Sequence, residues 1–337
     1  MQRPHPLIVE VTRGTLVESR HACLAVIADS SGNIIESWGE TAREIYPRSA
    51  IKPLQAVPLI TTGAADALNV STAETALACA SHLGEPMHRD AVAAWLARIG
   101  LGADDLECGV HAPRDTDAAA AVIRDGTALD RVFNNCSGKH SGFLSTALHL
   151  GEPTAGYTDA DHPVQQRLNA LLSNLGGTDL SATARGIDGC GIPVIGMPLA
   201  ALARAMARLA DPATLDGQQT GAAERIVAAM TTHPELVRGT HGFDTAVMRA
   251  GRGRFATKTG AEGVHIAIIP ERKLGIALKV EDGASRASGM ALCGLLDHLG
   301  LLDDQARAEL KDLRQVPIPN AAGKIVGGLR MADGWAD

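Results

Sequence analysis

Ser49 and Lys52 stand three residues apart in the stretch "YPRSAIKPLQA", with Pro47 and Pro53 on either side. On a helix, side chains at i and i+3 share a face and can touch. A serine hydroxyl is a weak nucleophile until a base removes its proton. A lysine can be that base when burial or another cation lowers its pKa. Pro53 suits the first turn of a helix, where a missing N–H costs little. Ser49 would then lie near the helix N-terminus, whose free N–H groups favour developing negative charge. Ser-x-x-Lys is a short pattern, however, and an ordinary surface helix carries it equally well. A second lysine closes a late strand candidate in "KTG", Lys258 to Gly260. By itself that is a basic strand end followed by a turn glycine.

Two further clusters contain metal-ligating residue types. In "NNCSGKHSG", Cys136, Lys139 and His140 occupy i, i+3 and i+4, so all three face one way if a helix starts there. The segment is not a phosphate loop, because Phe133 stands where the first glycine is needed. Cysteine and histidine at i and i+4 can both bind a metal. They can equally be a buried thiol and a capping imidazole. In "GIDGCGIPVIG", Asp188 and Cys190 sit among glycines, which implies a tight turn or a close backbone approach. Ser81 and His82, in "CASHLGEPMH", fall at the end of a helix candidate.

Elements must position these groups. Residues 7–38 alternate as strands, with a hairpin turn at Ser30 to Asn33. Residues 47–150 change to Ala- and Leu-rich helical spacing, and helices continue in "DHPVQQRLNALLSNLGG" and "MPLAALARAMARLA". Strand patterns return from about Phe255, with a hairpin near Pro270 to Gly275. A helix near Ala284 to Leu301 and a last strand in "KIVGGL" follow. Strands at both ends and helices between them predict an α+β fold. It would have a mostly antiparallel sheet built from N- and C-terminal strands, and a helical lobe. The expected split is residues 1–46 with 254–337 in the sheet lobe and 47–253 in the helical lobe, together one catalytic unit.

Composition narrows the function classes. The 337 residues are 45% hydrophobic but only 3% aromatic, so the core is built from aliphatic side chains and alanine. A net charge of −7 argues against nucleic acid and against an anionic membrane surface. No stretch is long and apolar enough to span a bilayer. The start reads directly into a strand with no signal-peptide run, so a cytoplasmic location is expected. Six cysteines in such a chain read as thiols, metal ligands or catalytic groups rather than a disulfide framework.

Ser-x-x-Lys on a helix followed by Lys-Thr-Gly on a late strand resembles the serine β-lactamases and penicillin-binding proteins. The fuller set looks like the Rhizobium-type L-asparaginases, the asparaginase II family. That set is "RSAIKPLQ", "CASHLGEPMH", "CGVHAP", "NNCSGKHSGFL", "DGCGIPV" and "KTGAEGV". The resemblance covers essentially the whole chain. It implies a β-lactamase-like fold and hydrolysis of the side-chain amide of L-asparagine to aspartate and ammonia. It implies two serine–lysine pairs, Ser49 with Lys52 and Ser81 with Lys258. Ser49 would be the nucleophile and Lys52 its base. It also implies Zn2+ held by Cys136, Lys139 and Cys190, with His140, Asp188 and Gly260 toward the substrate. Residue type alone would have favoured His140 over a lysine as ligand, because a lysine must lose its proton to bind a metal. A homodimer is the family's expectation.

Two other readings use the same residues. One is a penicillin-interacting hydrolase or esterase, against which stand the lack of an export signal and of a clear Ser-x-Asn element. The other is a zinc-stabilised scaffold without activity. Against it, a structural zinc usually has a closed shell of Cys and His ligands.

Overall fold

Residues 1–336 are described by a computed structural model. The alternating segments at the two ends of the chain form one nine-stranded sheet. Its early strands are β1 (Gln2–Arg3), β2 (Leu7–Arg13), β3 (Leu16–Asp29) and β4 (Ile34–Trp38). Its late strands are β5 (Ala256–Thr259), β6 (Val264–Ile269), β7 (Leu274–Val280), β8 (Val316–Pro319) and β9 (Ile325–Met331). The order is β8-β9-β2-β3-β7-β6-β5, and β4 pairs with β3 and with β1. Every pairing is antiparallel except that of β1 with β4. The long β3 makes this possible. Its first half pairs with β2 and its second half with β4 along one edge, while β7 runs along the other.

The hairpin turns use the expected residues. Between β3 and β4, Gly32 N–H donates to Asp29 O at 3.0 Å, and Asn33 N–H to the Asp29 carboxylate at 2.9 Å. Between β6 and β7, Lys273 takes a left-handed φ of 56°.

The chain forms two compact units. The first comprises 1–50, 197–211 and 246–337; the second comprises 51–196 and 212–245. In the first, every residue of β6 is buried, so both sheet faces are covered there. The helices Leu199–Ala210 and Ser285–His298 pack on β6 and β7. Gly275 explains how closely the first of these sits. A Cβ at that position would lie 2.2 Å from Ala203 O and 2.3 Å from Ala207 N. This differs from the expected split, which left Leu199–Ala210 in the helical middle. Its apolar stripe, including Leu199, Leu202, Met206 and Leu209, is buried on the sheet.

The second unit is mainly helical. Two of its helices matter most: α1 (Thr72–Ala78) and α2 (Ser137–Leu150). Ser71 and Glu74 start α1 with a reciprocal capping box. Gly138 lets the start of α2 rest on the end of α1, because a Cβ there would meet Leu77 O at 2.4 Å. The short strands Arg185–Ile187 and Pro193–Ile195 form a hairpin around the Asp188–Cys190 turn. Among the described residues, no helix is long and apolar enough to cross a membrane.

Candidate active site

The first unit holds Ser49, Lys258 and Gly260. Ser49 lies in the single 3-10 turn Arg48–Ile51 and is half-buried. Arg48, just before it, has φ +51°, a left-handed conformation that a side chain adopts at a cost. Lys258 is fully buried near the end of β5, with its Nζ donating to Thr259 O at 2.5 Å. Gly260 brings the two segments together. A Cβ there would lie 2.9 Å from Pro47 O and 3.1 Å from Ala50 N. Only glycine lets the Lys-Thr-Gly strand end touch the backbone of the Ser49 turn. The Gly260 N–H is already engaged by Val264 O at 2.7 Å.

The second unit holds Lys52, Ser81, Cys136, Lys139, His140, Asp188 and Cys190. Lys52 opens a short helix and its side chain is buried. Its Nζ donates to Ala80 O, to Ser81 Oγ at 3.0 Å, to Cys136 Sγ at 3.2 Å and to Asn135 O at 3.5 Å. Burial lowers the Lys52 pKa; the neighbouring Cys136 opposes that shift and Lys139 adds to it. A depressed pKa is what a lysine base requires. The hydroxyl that Lys52 meets in its own unit is that of Ser81, so its tie to Ser49 rests on their three-residue spacing. Ser81 is buried just beyond α1, with its N–H on Val237 O at 3.0 Å.

Cys136 stands just before α2, which carries Lys139 and His140 in its first turn, as their spacing predicts. Lys139 Nζ donates to Cys190 Sγ at 3.0 Å. The Cys136 pKa is held well below the ordinary thiol value by a hydrogen bond from Cys190 and by the charges of Lys52 and Lys139. The Lys139 pKa is raised: its burial is outweighed by Cys190 and Cys136. Two thiols and two lysines thus share one buried pocket.

This donor set fits Zn2+. Two sulfurs and one amine would supply three ligands, the number that a catalytic rather than a structural zinc takes from its protein. Among the described residues there is no group of three or more His, Cys, Asp or Glu side chains able to hold a metal. A metal taking three protein ligands here would have to draw on Lys139, beside Cys136 and Cys190. The ion's charge would take the place of the ammonium that now faces the sulfurs.

His140 is fully buried, and burial, followed by Lys139 and Lys52, pushes its pKa well below the usual histidine value. Its Nδ1 lies 2.8 Å from Tyr157 Oη, while its Nε2 has no partner in the protein. An unsatisfied buried donor costs about 1–3 kcal/mol unless something fills the gap. Asp188 is half-buried at the hairpin turn and helps to raise the Lys139 pKa.

Sequence reasoning missed two groups and read a third, His82, only as part of a helix end. Tyr157 and Glu107 come from loops with no motif. His82 stacks on His88, with ring centroids 4.9 Å apart, and lies 2.8 Å from Ser137 Oγ. It joins the Ser81 segment to the start of α2. A second histidine six residues on, at the start of a helix, was the available signal for that stack.

Comparison with known proteins places the chain. A family model described as L-asparaginase II matches residues 9–331. No curated protein matches the sequence. Among solved structures, Mglu in its native form is 14% identical, over 84% of this chain and 65% of that one, with a TM-score of 0.47. A beta-lactamase from Mycobacterium bovis is 16% identical, over 87% and 95%, with a TM-score of 0.40. The D-alanine carboxypeptidase AmpC from Burkholderia cenocepacia is 11% identical, over 87% and 92%, with a TM-score of 0.37. The chain spans about two thirds of the length of Mglu. The family model covers almost the whole chain, from the first long strand to the last, so the chain belongs to the L-asparaginase II family.

Proposed function

We propose that this amidohydrolase converts L-asparagine to L-aspartate and ammonia through a serine–lysine mechanism beside a zinc site. The match of the L-asparaginase II model to residues 9–331 carries this reading. The buried Lys52, hydrogen-bonded to Ser81, supports the proton-transfer part of it.

In this reading Ser49 Oγ attacks the side-chain amide carbon, and Lys52 Nζ takes the hydroxyl proton. Backbone N–H groups near Ser49 and after Lys258 hold the oxyanion, each donor contributing ~3 kcal/mol. The carbon–nitrogen bond then breaks. The leaving nitrogen takes a proton relayed between Lys52 and Ser81 and departs as ammonia. Water adds to the aspartyl ester, releasing aspartate and restoring Ser49. Lys258 balances the local charge. His140, Asp188 and Gly260 orient the substrate. Cys136, Lys139 and Cys190 would hold Zn2+, which when bound would act as a Lewis acid that fixes an oxygen ligand or lowers a nearby pKa. A cytoplasmic homodimer belongs to the same reading.

The test is ammonia release from L-asparagine, with L-glutamine in parallel, with and without added zinc. Turnover of asparagine is the expected result. No ammonia under either condition, together with covalent labelling by a fluorescent penicillin, would transfer the chain to the penicillin-interacting hydrolases.

A further inference from the structure

Tyr157 is a fully buried tyrosine whose hydroxyl has two protein partners. Glu107 N–H donates to Tyr157 Oη at 2.8 Å, which occupies one oxygen lone pair. The hydroxyl proton then needs an acceptor, and the one in reach is His140 Nδ1, 2.8 Å away. A ring nitrogen that accepts carries no proton, which would leave the imidazole proton on Nε2. That Nε2 is buried with no protein partner.

The loop carrying Tyr157 is clamped to hold this geometry. The Glu107 carboxylate accepts from Gly156 N–H at 2.7 Å, from Thr158 N–H at 3.3 Å and from Thr158 Oγ1 at 2.6 Å. Gln165 Nε2 donates to Tyr157 O at 2.8 Å. The ring of His140 meets Tyr157 edge-on, with centroids 5.4 Å apart, so it cannot flip without breaking that packing.

We infer that Tyr157, held by Glu107, is a positioning residue that fixes His140 as the Nε2–H tautomer. The free N–H is thereby reserved as a donor to an oxygen of the bound ligand: a carboxylate, an amide oxygen or a metal-bound water. The part that concerns asparagine rests on the asparaginase reading; the tautomer does not.

The test combines spectroscopy with a double-mutant cycle on the full chain. In 15N-histidine-labelled protein, long-range proton–nitrogen correlation reads the tautomer of each ring, and His140→Gln assigns the His140 signals. The parent should show a single Nε2–H tautomer, and Tyr157→Phe a mixture. For asparagine, Tyr157→Phe should raise KM about tenfold, the worth of one hydrogen bond, with kcat within about twofold. In a His140→Gln background, Tyr157→Phe should then add less than about twofold, because the donor no longer depends on the tyrosine. An Nδ1–H tautomer in the parent would overturn the inference. So would a Tyr157→Phe penalty that is undiminished in the His140→Gln background, which marks a purely structural role. Should the parent release no ammonia, the asparaginase reading falls while the tautomer measurement still decides this one. If Tyr157→Phe does not fold, the parent's tautomer decides it alone.

Discussion

The two halves of the candidate machinery are held in place by different forces. In the first unit, Ser49, Lys258 and Gly260 are positioned by backbone. A sheet fixes the register of β5, and a side-chain-free residue lets its end meet the Ser49 turn. In the second unit, Lys52, Ser81, Cys136, Lys139 and Cys190 are positioned by charge and hydrogen bonds inside a buried pocket. Backbone packing responds to volume and is insensitive to pH. A buried ionic cluster responds to protonation, metal and the loss of any one member. The two regions should therefore fail under different insults.

The largest effect belongs to the proposed nucleophile. Ser49→Ala should reduce asparagine turnover by on the order of 10³-fold or more while the melting temperature stays put. Steady-state kinetics beside a thermal melt checks both halves of that statement. Surviving activity would move the nucleophile to Ser81, inside the charged pocket, and erase the division of labour.

Next comes the metal. Cys190→Ser removes one of the three proposed donors, and zinc affinity should fall at least ~100-fold by competition with a chromophoric chelator. Lys139→Met should do the same, since no other described His, Cys, Asp or Glu group completes the site. Unchanged affinity in Lys139→Met would mean that the lysine is only a counter-charge.

Gly260→Ala probes the backbone half. Its Cβ would press on Pro47 O and Ala50 N, neither of which can rotate away. A stability loss of about 1–3 kcal/mol is expected, with turnover falling about tenfold or more and zinc affinity unchanged. Loss of zinc binding in this variant would show that the two regions are not independent.

The mildest insult is acid. His82 and His88 both have lowered pKa values, chiefly through burial. In the unfolded chain each titrates near the usual histidine value of ~6.5. Below that pH the unfolded state binds protons that the folded state refuses, so stability falls as pH falls. The loss is up to about 1.4 kcal/mol per pH unit for each histidine until its folded pKa is reached. Urea melts between neutral and mildly acidic pH measure it, and His88→Gln should flatten the slope. An unchanged slope would place the acid sensitivity elsewhere.

Legibility in the sequence follows the same division. The sheet was readable because alternation, turn residues and glycines are local signals: Asn33, Gly32 and the 7–38 pattern predict their hairpin unaided. Cys136, Lys139 and His140 were readable as a set because one helical turn places them together. The Lys52–Ser81 hydrogen bond was not, because it joins a helix start to a loop far along the chain. The pairing expected there was Ser81 with Lys258. Tyr157 and Glu107 were invisible for a related reason. Their role depends on which loop meets which, and neither residue stands in a pattern that chemistry would single out. The membership of helix Leu199–Ala210 was missed because an apolar stripe says that a helix is buried and not on what.

The most direct test of the account is the site of the covalent intermediate. Acid quenching of the protein during asparagine turnover, followed by peptide mass spectrometry, reads which side chain carries the aspartyl group. The account predicts an aspartyl ester on the peptide containing Ser49, absent in Ser49→Ala. An aspartyl group on Ser81, or turnover with no acylated peptide at any time point, would contradict it.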